Sequence, residues 1–446
     1  MSFPCYEEYQ DSSFDWLGEI PKKWSLGKFR HLFSESSEKI ESEVYGEMLS
    51  VSGYRGIEIK EYSDENQKRT DENLIGYRIV HAEQLVVNTM WLNYAGLGIS
   101  QLEGHVSPAY RSYWVDPSLH TRYVHHLMRS SLYVLGYTKY LTGVRPNSLQ
   151  MGREDLMSFP IVIPSYLEQK IIADFLDKET KKIDTLIAEQ EKLIELLKEK
   201  RQGIILNSVT KGLNANVSLK DSGVQWIGKV PEHWKIDRLK ISVSSCKNGI
   251  WGDDPQGDNN DIPCVRVADF DRRKLRVVLD EPTIRNVTEK ERLTRILHKG
   301  DLLLEKSGGG ENQPVGTVVL YEEDQPAVCS NFVAKVVVNN NINSSYMRYV
   351  HFAIYSLRIT TKSINQTSGI QNLDQDKYFN EKAPFPPKSE QDLISGFLDE
   401  ETSRFDNLTS EAELVIELLK ERRSALISAA VTGQIDVRNY QPEETA

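Results

Sequence analysis

Positive charge is what this sequence most conspicuously lacks: 54 Lys and Arg face 65 Asp and Glu, for a formal net charge of -11. Duplex affinity comes largely from Lys and Arg neutralising phosphates, so the balance argues against a free-standing nucleic-acid binder. Cysteine is also scarce. Cys5, Cys246, Cys264 and Cys329 form no CxxC pair and stand beside no His cluster, which excludes an evident zinc site or disulfide framework and predicts ordinary reduced thiols. No stretch approaches the roughly 18 apolar residues of a membrane span. The acidic start MSFPCYEEYQ is unlike a signal peptide, so a cytoplasmic location without a membrane partner is expected.

Catalytic signatures are missing as well. A P-loop needs Gly-Lys followed by Ser or Thr, but Gly27-Lys28 and Gly228-Lys229 continue into Phe29 and Val230. An adenine methyltransferase calls for a Gly-rich cofactor loop and an Asn/Asp-Pro-Pro-aromatic tetrapeptide; Asp116-Pro117 and Asp254-Pro255 continue into Ser118 and Gln256. Glu58-Ile59-Lys60 is a tripeptide of the kind found by chance, not a clustered nuclease centre. His120, His125 and His126 lack the i, i+4 spacing of helical metal ligands. The expectation is a chain with no catalytic, cofactor-binding or metal-ligating residue of its own.

What the sequence does contain is a duplication. Its 446 residues, 39% hydrophobic and 27% charged, suffice for two cores. DSSFDWLGEIPKKW from Asp11 returns as DSGVQWIGKVPEHW from Asp221, an offset of 210, aligning Trp16 with Trp226 and Trp24 with Trp234. The longer block Glu168 to Thr210 returns as Glu390 to Thr432, an offset of 222. Between them Arg78-Ile79-Val80-His81 faces Arg295-Ile296-Leu297-His298 at an offset of 217, in the same order. The intervening residues have diverged almost completely, so one framework carries two different inserts. The four tryptophans are expected to pack the start of each repeat.

Helical periodicity is plain in the second block. Leu176, Ile183, Ile187, Ile194, Leu197 and Ile204 fall on a four-three spacing completed by Thr180, Gln190 and Arg201. The copy places Leu398, Phe405, Ile416, Leu419 and Leu426 on the same seam, with Thr402, Thr409, Ala412 and Arg423 between. Neither seam is apolar enough alone; pairing the copies buries both. Arg201 and Arg423 are expected to form interhelical salt bridges. No Pro or Gly interrupts Glu168 to Gln202, and about 40 residues make a rod of roughly 60 Å, longer than the roughly 34 Å of one duplex turn.

Around this rod, strand-like runs at Gln84 to Val87, Asp301 to Leu304, Gly316 to Tyr321 and Phe332 to Val338 mix with helical patterns at Arg122 to Leu135 and Tyr346 to Ile359. The predicted fold class is mixed α/β: two globular domains separated by two long helices that form an antiparallel coiled coil, a pseudo-twofold tandem repeat. The expected limits are a first domain at 1–165, a central helix at 166–212, a second domain at 213–388 and a C-terminal helix at 389–446. After Val431-Thr432 the chain soon stops, whereas after Val209-Thr210 it runs into DSGVQW, so the N-terminal DSSFDW block would complete the second half cyclically. The two chain ends are therefore expected to lie close together.

The repeated WxGxxPxxW pattern at Trp16 and Trp226, together with VIELLKERRSALISAAVTGQIDV from Val415 to Val437, resembles the specificity subunit of type I restriction-modification systems, over essentially the whole chain. The resemblance implies two target-recognition domains, each reading one half of an asymmetric bipartite site in double-stranded DNA. It also implies paired helices that set the half-site spacing and dock methyltransferase subunits, two by expectation, to which restriction subunits attach. S-adenosylmethionine would belong to the methyltransferase partners, and ATP and Mg to the restriction partners.

Base reading calls for Arg or Lys against guanine and Asn or Gln against adenine. Candidate contacts in the first domain are Arg55, Lys60, Lys68, Arg69, Asn93, Tyr94, Arg145 and Asn147, all in polar or Gly-flanked stretches. In the second domain they are Lys306, Asn312 and Gln313 in the run KSGGGENQ, and Lys362, Gln366, Gln371 and Asn372 in TKSINQTSGIQN. The basic run Asp271 to Arg276 is either a phosphate grip or, as expected here, a solvated turn.

Overall fold

Two long helices dominate the computed structural model, which describes residues 3–62, 70–143, 149–367 and 369–440, without the side chains of 71, 72, 366 and 367. They run from Tyr166 to Lys211 and from Lys388 to Val431, 46 and 44 residues. Helix-favouring Leu, Glu, Lys and Ala fill them, and Gly212 and Gly433, at φ of +72° and +75°, follow their ends in the left-handed conformation that stops a helix. The chain divides into two compact units, Met1–Glu189 with Val415–Ala446, and Gln190–Leu414. Both divisions fall inside the long helices, whereas the sequence pattern places the limits at 166–212 and 389–446. Each unit thus holds the start of one helix and the end of the other, which pair antiparallel.

The seam follows the predicted spacing and shows how it tolerates polar residues. Leu176, Thr180, Ile183 and Ile187 are buried in the first unit, and Leu398, Thr402, Phe405, Thr409 and Ala412 in the second. The threonine hydroxyls donate back to their own helix, Thr180 to the Leu176 carbonyl at 2.7 Å, Thr402 to Leu398 at 2.6 Å and Thr409 to Phe405 at 2.8 Å, so no seam hydroxyl is stranded. Toward the helix ends the buried position moves by one residue: Ile205 replaces Ile204, and Ile427 replaces Leu426. A 3.6-residue helix drifts against a strict 3.5-residue repeat in this way. The paired arginines lie as expected. Arg423 Nε is 2.9 Å from Asp184 Oδ1 in the first unit, and Arg201 Nε is 3.5 Å from Asp406 Oδ1 in the second.

The first unit stacks two four-stranded sheets. One orders its strands Gly56–Ile59, Glu47–Ser52, Gly104–Val106 and Arg78–Val80; the other, Phe33–Glu35, Arg111–Val115, Leu85–Val87 and Leu97–Ile99. The helical pattern read over Arg122 to Leu135 is two helices, Thr121–Arg129 and Ser131–Thr138, because Ser130 is extended and caps the second through its hydroxyl. In the second unit a six-stranded sheet runs Val243–Asn248, Val333–Val338, Leu302–Glu305, Val318–Leu320, Arg276–Val277 and Phe270–Asp271, with Ser344–Ser356 as its helix. Gly316 and Thr317, read as strand, lie outside it.

Beneath these differences the frame repeats closely. Tyr9–Asp11 pairs with Glu19–Pro21 as Leu219–Asp221 pairs with Lys229–Pro231, and Ser25–Lys28 pairs with Pro160–Ile163 as Lys235–Arg238 pairs with Lys382–Phe385. The Tyr123 hydroxyl, 3.1 Å from the Val162 carbonyl and 3.3 Å from that of Val431, shares its proton between them. Tyr346 does the same with Pro384 at 3.1 Å and Val209 at 3.3 Å, the equivalents at an offset of 222. Gln169 accepts from the His120 amide at 2.8 Å, and Gln391 from the Asn343 amide at 2.9 Å. Trp16, Trp24 and Trp234 are buried and Trp226 half-buried, packing as predicted.

The cores are therefore shared. In the first, Ile427, Ala430 and Val431 of the C-terminal helix join Ile172, Ala173, Phe175 and Leu176 of the central one; in the second, Ile205 and Val209 join Ile394 and Leu398. Cys264 and Cys329 are buried thiols whose pKa values burial pushes up to about 11 and about 12. The chain ends meet inside the first unit: the Asp436 amide donates to the Pro4 carbonyl at 2.7 Å, and the Tyr9 hydroxyl to the Gly433 carbonyl at 2.9 Å. A permutant opened at Asn214, in the exposed linker, with its old ends joined, should unfold in one transition within a few degrees of the parent by calorimetry. An unfolded permutant would contradict the cyclic frame.

Candidate nucleic-acid interface

Four backbone carbonyls around one half-buried cation organise the candidate surface of the first unit. Arg129 Nη1 donates to the Ala95 and Leu97 carbonyls at 3.0 and 2.5 Å, and Nη2 to those of Ser52 and Gly53 at 3.1 and 2.9 Å. Among the described residues no carboxylate pairs with it; burial, with Arg423 nearby, lowers its pKa to about 10. Its position late in the Thr121–Arg129 helix lets it reach both the hairpin tip carrying Tyr54 and Arg55 and the turn carrying Trp91, Asn93 and Tyr94. Those turns touch so closely that a Cβ at Gly53 would lie 2.7 Å from the Tyr94 carbonyl oxygen. Trp91 and Tyr94 are left 57% and 58% exposed with ring centroids 5.7 Å apart, an apolar area available to stack on a ligand. A cavity of about 560 Å³ beside them is lined by Tyr54, Tyr94, His125, Arg129, Asp184 and Arg423 among others.

The first-domain candidates separate on this surface. Asn93 and Tyr94 share the turn; Arg55 is exposed on the hairpin tip and ion-pairs Glu58 at 2.9 Å; Lys60 lies 5.2 Å over the Tyr62 ring. Lys68, Arg69, Arg145 and Asn147 lie outside the described residues. Of the histidines, His125 is buried, which lowers its pKa to about 3, and His126 Nε2 is 2.7 Å from Asp177 Oδ1. Neither joins a metal-ligand cluster among the described residues.

In the second unit the two candidate runs meet. Ser307–Gly308 pairs with Ile370–Leu373, which pairs in turn with Ile364–Thr367, setting Gln366 opposite Gln371. The Ser307 hydroxyl donates to Asn372 Oδ1 at 2.6 Å, and Lys306 Nζ to Asn248 Oδ1 at 2.8 Å. Asn312 and Gln313 are exposed on a loop whose base Arg358 holds through the Asn312 carbonyl at 3.1 Å; Lys362 is exposed on the turn Ile359–Ser363. Gln371 points inward, where its Oε1 accepts from the Val315 amide at 3.2 Å, so its side chain is committed to the fold. The basic run is a turn that is solvated only in part: Lys274 and Arg276 are exposed, whereas Arg272 and Arg273 are committed to carboxylates. Arg272 pairs with buried Glu305 at 2.9 Å and Arg273 with Asp406 at 3.1 Å, because the turn between Phe270–Asp271 and Arg276–Val277 faces carboxylates that its own composition does not reveal.

Sequence reading missed Arg129, Tyr54, Trp91 and Arg273, whose roles depend on groups far away in the chain. It also missed Tyr123 and Tyr346, although the short match HTRYV against NSSYM before two matched glutamines carries the signal. Replacing Arg129 with Gln should destabilise the chain by about 2 kcal/mol in urea unfolding, since the carbonyls of buried Ala95 and Leu97 lose their donor at once. A loss below about 1 kcal/mol would show that the two turns hold together without it.

Comparison with known proteins agrees with this frame. The family profile of the type I restriction modification DNA specificity domain matches residues 250–418. The StySPI type I restriction enzyme specificity subunit of Salmonella potsdam is 24% identical over 316 residues, 70% of this chain; the match spans 65% of that relative's own length. A chain from a structure titled for complex assembly and conformational transition of the type I R-M system superposes with a TM-score of 0.68 at 14% identity, covering 93% of this chain and 99% of that one. The HsdS subunit from Thermoanaerobacter tengcongensis gives a TM-score of 0.51 at 14% identity, covering 95% and 100%. With the duplicated frame, the shared helices and the profile pointing the same way, the chain carries a match to the type I restriction modification DNA specificity domain and is similar in sequence and fold to the specificity subunits of type I restriction enzymes.

Proposed function

We propose that this chain recognises a bipartite, asymmetric DNA sequence, one half-site per domain, and catalyses nothing itself. The observation that carries the reading is a frame repeated down to single hydrogen bonds, as at Tyr123 and Tyr346, which supports two dissimilar surfaces. The first surface offers Trp91, Tyr94 and Arg55, with Asn93 half-buried between the two rings in sequence; the second offers Asn312, Gln313, Asn372 and Lys362. Asn and Gln suit bidentate hydrogen bonding to adenine, and Arg to guanine. The net charge of -11 fits a reader that works inside a complex, where partners supply much of the phosphate grip.

Those partners are methyltransferase subunits, two in number, and restriction subunits attached to them. Leu186, Leu193 and Leu196 are exposed on the central helix, and Leu408, Val415 and Leu418 stand exposed at equivalent positions on the other. Two like apolar faces suit two copies of one partner. In this reading S-adenosylmethionine, ATP and Mg belong to the partners, and the complex works in the cytoplasm; among the described residues no helix is long and apolar enough to cross a membrane.

Methylome sequencing of cells expressing the chain with its cognate methyltransferase tests the proposal. The expected product is a motif of two unlike half-sites around a fixed gap, and replacing Asn312 and Gln313 with Ala should relax one half alone, by about 1 to 3 kcal/mol for each bidentate pairing removed. A continuous palindrome, or relaxation of both halves together, would contradict it.

A further inference from the structure

We infer that in each unit a side chain on a turn beside the reading loop, Tyr54 in the first and Arg273 in the second, is seated on equivalent aspartates of the helix pair, as a latch that sets the pose of that loop. The aspartates, Asp184 and Asp406, stand 222 residues apart, the offset that also relates Arg201 to Arg423. In the first unit Asp184 Oδ1 accepts from the Tyr54 hydroxyl at 2.6 Å and from Arg423 Nε at 2.9 Å, and the Arg423 guanidinium lies 4.7 Å from the centre of the Tyr54 ring. The three groups close a triangle in which each touches the other two.

The second unit closes a triangle of different chemistry on the equivalent acid. Arg273 Nε donates to Asp406 Oδ1 at 3.1 Å, its Nη2 to the Asp406 carbonyl, and its Nη1 to Glu413 at 3.3 Å. Arg201, 3.5 Å from the same carboxylate, donates to the Arg273 carbonyl at 2.6 Å. Burial lowers the Arg201 pKa while Asp406 works against that shift. A neutral phenol and a cationic guanidinium thus meet one duplicated feature of the helices, although the domains that present them share almost no sequence.

Each latch also adjoins a reading loop. The tip that carries Tyr54 includes Gly53, pressed against the turn of Asn93 and Tyr94 and tied to it through Arg129. Arg272, next to Arg273, binds Glu305, the residue before Lys306 and the Gly-rich loop of Asn312 and Gln313. Glu305 is buried, which raises its pKa against the pull of Arg272, so the link crosses the interior. Tyr54 and Arg273 are positioning residues: they fix the loops through the residues beside them.

The test uses the full chain carrying Tyr54→Phe, which keeps the ring, or Arg273→Gln, with Arg273→Lys as the charge-conserving control. Without DNA, amide exchange at residues 53–55 should quicken at least about threefold in Tyr54→Phe, and at 271–275 in Arg273→Gln, as expected when a hydrogen bond to a charged group is removed at a half-exposed site. Asp184→Asn should reproduce the Tyr54→Phe effect, and the double variant should add little to it. The consequence for reading rests on the proposed function: with the cognate methyltransferase, each variant should raise methylation of sites mismatched in one half-site only, with kcat on the matched site held, and Arg273→Lys should restore part of the discrimination. Unchanged exchange at the latch turns would overturn the latch. Faster exchange with full discrimination in both half-sites, or equal loss in both, would overturn its role in positioning. If the unaltered chain directs no bipartite methylation, the proposed function fails while the exchange arm still decides the latch.

Discussion

Neither core of this protein closes with residues from its own half of the duplication alone. Ile427 and Val431 belong to the C-terminal helix yet pack in the first core, and Ile205 and Val209 belong to the central helix yet pack in the second. Burying two such β-branched side chains contributes roughly 4 kcal/mol to each core, a large share of the marginal stability of a domain. Tyr123 and Tyr346 reinforce the exchange by bonding to the carbonyl at the end of the borrowed helix. The cyclic arrangement of the chain follows, since the hairpin at Tyr9 to Pro21 must meet the end of the C-terminal helix, as the hairpin at Leu219 to Pro231 meets the end of the central one. Gly433 and Gly212 make those junctions possible: a Cβ at either would stand 3.0 or 3.1 Å from the second tryptophan of the hairpin motif.

Because the frame takes up the duplicated residues, the two surfaces are free to differ. In the first unit the exposed Trp91 and Tyr94 rings stand on a turn held by a half-buried arginine; in the second, a Gly-rich loop and a polar hairpin join in one small sheet. Under the proposed function, different local chemistry on a common support suits the reading of two unlike DNA sequences, and the deficit of positive charge fits a chain that supplies discrimination while partners share the affinity.

Much of the frame was legible because duplication compares the sequence with itself. The four-three spacing located both helices and set Arg201 and Arg423 as interhelical ion-pair formers, while their partners Asp184 and Asp406 came only from the structure. The threonines that weaken the seam on paper turn their hydroxyls to their own backbone, a local rule that sequence carries. The interface was less legible. Arg129 lies some 75 residues from the hairpin it holds, and the carbonyls it serves leave no mark on side-chain composition. The basic run at Asp271 to Arg276 read as solvated because its carboxylate partners, Glu305 and Asp406, are distant in the chain. Gln371 sits in a polar run beside Asn372, yet strand alternation turns one inward and the other outward.

The exchange of helix ends is tested most directly by cutting the chain at Asn214 and following each half by sedimentation equilibrium. Residues 1–213 alone should yield no stable monomer, only self-association or aggregation, and mixing with residues 214–446 should recover a one-to-one complex that unfolds as the intact chain does. A monomeric, cooperatively folded first half would mean that its core closes without the borrowed helix, and the account would be wrong.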